Sequence, residues 1–266
     1  MDLGLKGKRA LVLGGNRGIG FGIARELARE GAHVCIAARD QVKLDEACGL
    51  LKAASGNAGA TDMRGIPIDL EHVDALPAFA EHVTQAFGPI DILVNNTGGP
   101  GYGGVSLRGL SEWRGHFEDM VLSVITLTDA FVPGMRARRW GRVLTVISSG
   151  VTQPIPILGV SNTLRGALVG WSKTLSGEVA KDGVTSNVLV PGRIDTERVR
   201  KTDEAVAAKE GIGVEEARAR STSLIPLGRY GDIEEFGALA AFVASTRASY
   251  ITGSTLRCDG GIIRSV

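Results

Sequence analysis

The chain has 266 residues, 44% of them hydrophobic and 22% charged, the composition of a folded globular protein and not of a disordered one. Thirty Lys and Arg against 29 Asp and Glu leave a net charge of +1, which supplies no general attraction for nucleic acid or an anionic membrane surface. Cys35, Cys48 and Cys258 are widely spaced and fit neither a disulfide framework nor a metal-ligand pattern, so a reducing cytoplasm is the expected setting.

The first element is the β-rich run "RALVLGG", entered from a start that lacks the apolar region of a signal peptide. No uninterrupted apolar run in the chain approaches the roughly 18 residues of a membrane span. The strand leads into "GGNRGIG" and the helix "FGIARELAREG". Gly14, Gly18 and Gly20 allow a tight turn and close backbone approach. The N–H groups of Asn16, Arg17, Gly18 and Ile19 then open a helix whose positive end favours a pyrophosphate. The spacing is GxxxGxG, and the strand before it with the helix after it identifies a dinucleotide site.

The second strand, "AHVCIAARD", selects the dinucleotide. A carboxylate at its end would hold the ribose 2′-hydroxyl of NAD(H); here Ala38 takes that place, followed by Arg39, with Arg17 in the glycine turn. Two guanidinium groups suit the 2′-phosphate of NADP(H), which is therefore the expected cofactor ahead of NAD(H). The alternative leaves Arg39 as a solvated surface residue and gives the ribose to Asp40.

Further β-rich runs, "RGIPIDL", "IDILVNN", "GRVLTVISS", "TSNVLVPG" and a final "STLRCDG", alternate with helical patterns near 18–30, 40–54, 72–87, 111–138, 157–181 and 232–244. Alternation of this kind predicts an α/β chain, a Rossmann-type doubly wound parallel sheet of seven strands in the order 3-2-1-4-5-6-7. The whole of 1–266 reads as a single domain. Leu164, Leu168, Trp171, Leu175 and Val179 give the 157–181 helix one apolar face, read as core or subunit interface. The charged stretch from Asp195 to Arg220 is either a solvated helical excursion or a substrate lid over 195–220.

Several motifs in order resemble the short-chain dehydrogenase/reductase family, of the kind that includes 3-oxoacyl-thioester reductases. "GGNRGIG" resembles its TGxxxGIG, "NNTGG" its NNAG and "VLVPGRIDT" its VxPGxxxT, and the segment from "IPLGRYGDIEEFG" to "RCDGG" resembles its C-terminal portion. The resemblance covers nearly the whole chain. It implies that Asp69 and Leu70 lie at the adenine and that Asn95 and Gly98 lie beside the cofactor ribose. It further places Pro191, Gly192, Ile194 and Thr196 along the nicotinamide, with a homotetramer or homodimer as the assembly. For Asn95 and Asn96 a purely structural role in the turn stays open.

The same alignment exposes departures. The family positions a carbonyl with a Ser after the fifth strand, donates a proton from a Tyr thirteen residues on, and holds the ribose with a Lys four further. Here those places carry Ser148, Ser161 and Arg165, and a family Asn in the preceding long helix falls on Met120. A Ser hydroxyl is short and does not titrate as a phenol does, and a guanidinium is a poor proton shuttle. Arg165 can still hold ribose hydroxyls or stabilise a developing alkoxide. General acid–base catalysis contributes roughly 10²- to 10⁴-fold, so its weakening lowers carbonyl reduction without forbidding it.

Tyr102, in "GGPGYGG", is a substitute acid or a packing residue; His116 is a weaker candidate, and no histidine spacing fits a metal. The expected function is an NADP(H)-dependent oxidoreductase with a non-standard active site, acting on a small-molecule carbonyl or alcohol. The alternatives are a catalytically inactive, dinucleotide-binding sensor, scaffold or partner subunit, and a non-redox enzyme using the same pocket.

Overall fold

A computed structural model describes residues 1–56 and 62–265. Seven strands form one parallel sheet: β1 (Arg9–Leu13), β2 (His33–Ala38), β3 (Met63–Pro67), β4 (Ile92–Asn95), β5 (Gly141–Val146), β6 (Val184–Pro191) and β7 (Thr255–Cys258). Their order is β3-β2-β1-β4-β5-β6-β7, as the alternating pattern predicts. The order in which the chain adds strands reverses between the parallel pair β1 and β4, where Val12 registers with Val94, and open α/β sheets bind ligands at the carboxyl ends of the strands beside such a reversal.

Helices cover both faces. On one lie α1 (Gly18–Arg29), α2 (Gln41–Ser55) and α9 (Ile233–Ala244), on the other α3 (Leu76–Phe87), α5 (Ser123–Ala137) and α6 (Gly159–Val179). The strands are buried on both faces and read as continuous apolar runs for that reason. Val12, Ile36 and Val94 point toward Ile23, Leu27 and Phe236; their neighbours Leu11, Cys35 and Leu93 point toward Val83, Phe131 and Leu175. Leu164, Leu168, Leu175 and Val179 bury the expected stripe of α6, and Trp171 packs at its margin.

The long helical run before β5 is interrupted. A helix α4 (Leu110–Phe117) passes through a wide π-turn at Glu118–Leu122 into α5. Leu110–Ala137 as a whole is long and apolar enough to cross a membrane by length and composition, yet half of its most apolar window is buried in the fold, with Met120, Val124 and Leu127 in the core. The charged stretch after β6 forms two further helices, α7 (Glu197–Glu210) and α8 (Val214–Thr222). Among its polar side chains Asp203 is buried, and it accepts hydrogen bonds from the Tyr230 hydroxyl at 2.9 Å on both oxygens. Arg218 stacks on the Tyr230 ring at 4.7 Å and donates to Asp195 at 2.8 Å, so both helices are pinned to the 225–231 segment.

Candidate active site

The turn after β1 meets the requirements of a pyrophosphate cradle. Gly14 and Gly18 have φ of 61° and 56°, a region that L side chains enter only with strain. A Cβ on Gly20 would stand 2.2 Å from the Gly14 carbonyl oxygen, so glycine alone lets α1 start this close to the strand. No side chain caps α1, which leaves its first N–H groups free for an anion. Asn96 supports the turn from below, its Nδ2 donating to the Leu13 carbonyl at 3.1 Å. Asn16 lies in the turn, half-buried, and Ile19 packs onto the core. A dinucleotide therefore fits the residues present.

The segment after β6 closes the opposite wall. Gly192 packs so tightly that a Cβ would stand 2.5 Å from the Asp259 Cα, and Thr196 comes within 3.5 Å of the Cβ position of Gly18. Pro191 ends the buried strand, and Ile194 is buried and pairs with Gly231. After β3, Asp69 accepts from the Glu71 N–H at 3.2 Å and Leu70 packs on the core. At the end of β4, Asn95 is buried; its Nδ2 donates to Thr128 at 3.0 Å, while its Oδ1 has no partner in the fold.

The two arginines expected at a 2′-phosphate are placed differently. Arg39 is exposed at the end of β2 and enters no ion pair among the described residues. Arg17 reaches across to α7 and pairs with Glu197 at 2.7 Å. Asp40 caps α2, accepting from the Lys43 N–H at 3.2 Å, and that bond with the Lys43 ammonium holds its carboxyl below the ordinary value. A helix-capping role accounts for Asp40 without a ribose.

At the catalytic positions, Ser148 follows β5 and its Oγ accepts from the Gly150 N–H at 3.1 Å. Ser161, in the first turn of α6, is 4% exposed, and Met120 at the family's Asn position is fully buried in the π-turn. Arg165 is buried, and its guanidinium joins two strand ends. It donates to the carbonyls of Val146 at 3.0 Å, Thr97 at 3.2 Å and Gly98 at 2.6 Å. Burial first, and then the neighbouring Arg198 charge, bring it down to about 10, with Asp119 acting in the opposite sense. Asp119 is itself raised, chiefly by burial. Arg165 thus shapes the loop beside the expected ribose by holding its carbonyls.

Tyr102 is exposed and hydrogen-bonds Thr202 of α7, away from a free general-acid geometry. Its loop is drawn over the start of α6, where the Gly103 N–H donates to Ile157 O at 2.7 Å and the Gly159 N–H to Gly103 O at 3.0 Å. His116 faces Glu112 at 3.9 Å on its own helix, and no metal-ligand cluster occurs among the described residues.

Sequence reasoning missed three participants. Asn162 donates to Ile155 O at 2.9 Å, and its partnerless Oδ1 lies beside Gly150, facing the same small space as Ser148 Oγ. Arg198, in the first turn of α7, lies against Gly99 and Pro100. The Asp203–Tyr230 pair ties α7 to the 225–231 segment, and nothing in the charge pattern of 195–220 sets Asp203 apart from its neighbours. Only Arg198 carried a signal, as a cation two residues beyond Thr196.

Residues 14–263 match the family model described as enoyl-(acyl carrier protein) reductase. The chain is 32% identical over 262 residues to the 3-oxoacyl-[acyl-carrier-protein] reductase FabG of Vibrio cholerae, covering 98% of this chain and 99% of that protein. The solved L-sorbose reductase of Gluconobacter frateurii, complexed with NADPH and L-sorbose, superposes with a TM-score of 0.93 at 32% identity over the full length of both chains. A putative NAD(P)-dependent gluconate 5-dehydrogenase from Beutenbergia cavernae, with bound NADP, gives 0.87 at 29% identity, again over both full lengths. Sheet order, glycine cradle and full-length similarity agree: the chain belongs to the short-chain dehydrogenase/reductase family of oxidoreductases.

Proposed function

We propose that the protein is an NADP(H)-dependent oxidoreductase acting on a carbonyl or alcohol through a non-standard site. The observation that carries the reading is the cradle itself: the uncapped start of α1, the close approach of Gly20 to Gly14, and Thr196 facing Gly18 from the opposite wall. Relatives with NADPH or NADP bound support the phosphorylated cofactor. When bound, that cofactor supplies the hydride.

The chain's own residues then have divided tasks. Ser148, at the mouth of β5, offers a hydroxyl to a substrate oxygen. Ser161 leaves room that a phenol would fill, and that room admits a bulkier substrate or a water relaying a proton through Ser148. Arg165 keeps the cation and positions the Thr97–Gly98 carbonyls beside the ribose, and its field favours negative charge developing on a substrate oxygen. Arg17 and Arg39 serve the 2′-phosphate, with Arg17 leaving Glu197 to do so. Residues 195–220 act as the lid, tethered through Asp203 and Tyr230.

The reading is tested by following NADPH absorbance against a panel of ketones, oxo acids and sugars, paired with direct titration of NADPH and NADH. Turnover with NADPH preferred supports it. Tight NADPH binding with no turnover in either direction assigns the chain to the non-catalytic, dinucleotide-binding alternative, and absence of binding overturns both.

A further inference from the structure

Most of the charged side chains of the lid are paired. Glu197 pairs with Arg17 and Lys201, Asp195 with Arg200 and Arg218, and Arg220 with Glu210 and Glu216. Arg198 is left out, as is the exposed Lys209, with no carboxylate within ion-pair distance among the described residues. The Arg198 guanidinium is nevertheless seated against the backbone: a Cβ on Gly99 would stand 2.9 Å from its Nη1, so a side chain there would displace the group. The one acceptor it reaches among the described residues is the Pro100 carbonyl, at a long 3.4 Å. Most of its five donors are therefore uncommitted.

Across the same turn lies Arg165, buried and bonded to Gly98. Arg165 thus bonds the Gly98 carbonyl while Arg198 lies against the adjoining Gly99. Their mutual repulsion contributes to the lowering at Arg165, and Asp119 offsets it only in part. Like charges held this close are stabilised by an anion placed between or beside them, and planar guanidinium forks match a carboxylate in geometry as well as charge. The Gly103–Leu158 bridge draws the same loop over the start of α6, the helix that carries Ser161 and Arg165.

We propose that Arg198, seated on Gly99 beside the Gly98 that Arg165 holds, is the specificity determinant for a carboxylate on the substrate, making the protein an oxidoreductase of oxo acids or hydroxy acids. This rests on the oxidoreductase reading above and specifies its substrate class. The uncommitted donors of Arg198 grip the carboxylate, which leaves the reacting carbonyl toward Ser148.

The test uses the full chain saturated with NADP⁺ for binding and with NADPH for turnover. Two substrate pairs differ in the anion: acetoacetate against ethyl acetoacetate, and 5-keto-D-gluconate against L-sorbose. The expected result is a kcat/KM at least about tenfold higher for the acid of one pair. Arg198→Gln removes that preference, Arg198→Lys restores part of it, and NADPH affinity stays within about twofold in both variants. Should no carbonyl compound be turned over, the oxidoreductase reading fails. Calorimetric titration of the NADP⁺-saturated protein with the two acids then still decides the site: binding lost in Arg198→Gln supports it. Equal handling of acid and neutral partner in both pairs, binding of neither acid, or a loss of NADPH affinity in Arg198→Gln matching the loss for the acid overturns the proposal.

Discussion

Replacing Arg165 with Ala separates a structural cation from a cofactor ligand. The side chain is 8% exposed and donates to three backbone carbonyls, those of Val146, Thr97 and Gly98. A hydrogen bond from a charged donor contributes roughly 1.5–3 kcal/mol, and an abandoned buried acceptor incurs its own desolvation cost. Because the Thr97–Gly98 carbonyls border the cleft, water partly replaces the lost donors, and the net destabilisation expected is about 3 kcal/mol. For a chain of this size that lowers the melting temperature by roughly 6 °C or more. Urea unfolding without added nucleotide measures the loss, and titration of the folded variant with NADPH measures any further loss of affinity. Arg165→Lys, a compact ammonium with three donors, should recover part of the stability because it still reaches some of these carbonyls. If Arg165→Ala unfolds at the wild-type urea concentration while NADPH affinity collapses, the carbonyl contacts are incidental and the guanidinium acts on the cofactor directly.

Four further outcomes are expected. Arg39→Asp should weaken NADPH binding by about 2 kcal/mol and NADH binding much less, since it replaces a cation with an anion facing the 2′-phosphate; equal losses in the two titrations would give Arg39 a structural role. Ser161→Ala should leave turnover within roughly tenfold of wild type if the residue is only a spacer, and a complete loss with intact cofactor affinity would put its hydroxyl in the proton path. Phe117 is 40% exposed beside a surface cavity of about 280 Å³ lined by Trp113, Leu122 and Leu164; Phe117→Glu should convert a homotetramer or homodimer to monomer by light scattering, and a wild-type monomer would refute the assembly. Tyr230→Phe leaves the buried Asp203 carboxylate without its donor and should cost roughly 2 kcal/mol; because burial raises the Tyr230 hydroxyl above its ordinary value, the native state holds that proton more tightly, so wild-type stability falls as pH rises beyond about 10 and the variant lacks this part of the slope.

The sheet and the cradle were legible because their causes are local and periodic. A strand buried on both faces must be an apolar run, a crossover helix must carry an apolar stripe, and a turn that brings a helix start against a strand end must be glycine at Gly14 and Gly20. The candidate catalytic residues were legible only as positions. Counting residues places Ser161 and Arg165 correctly on α6, yet nothing in "SNTLR" says that the Arg165 donors are taken by carbonyls from β5 and from the loop after β4, because those acceptors are brought together only by the closing of the sheet. Arg17 shows the same limit: its neighbours in sequence indicate an anion, and the fold supplies one in Glu197, 180 residues further on. Charge in 195–220 was read as solvated or mobile because sequence cannot tell a paired carboxylate from a free one. Once the ion pairs are assigned among the described residues, two cations of that stretch remain without a carboxylate: Lys209, exposed on α7, and Arg198, held against backbone. Of these, Arg198 seated on Gly99 carries more functional information than the charge density that concealed it.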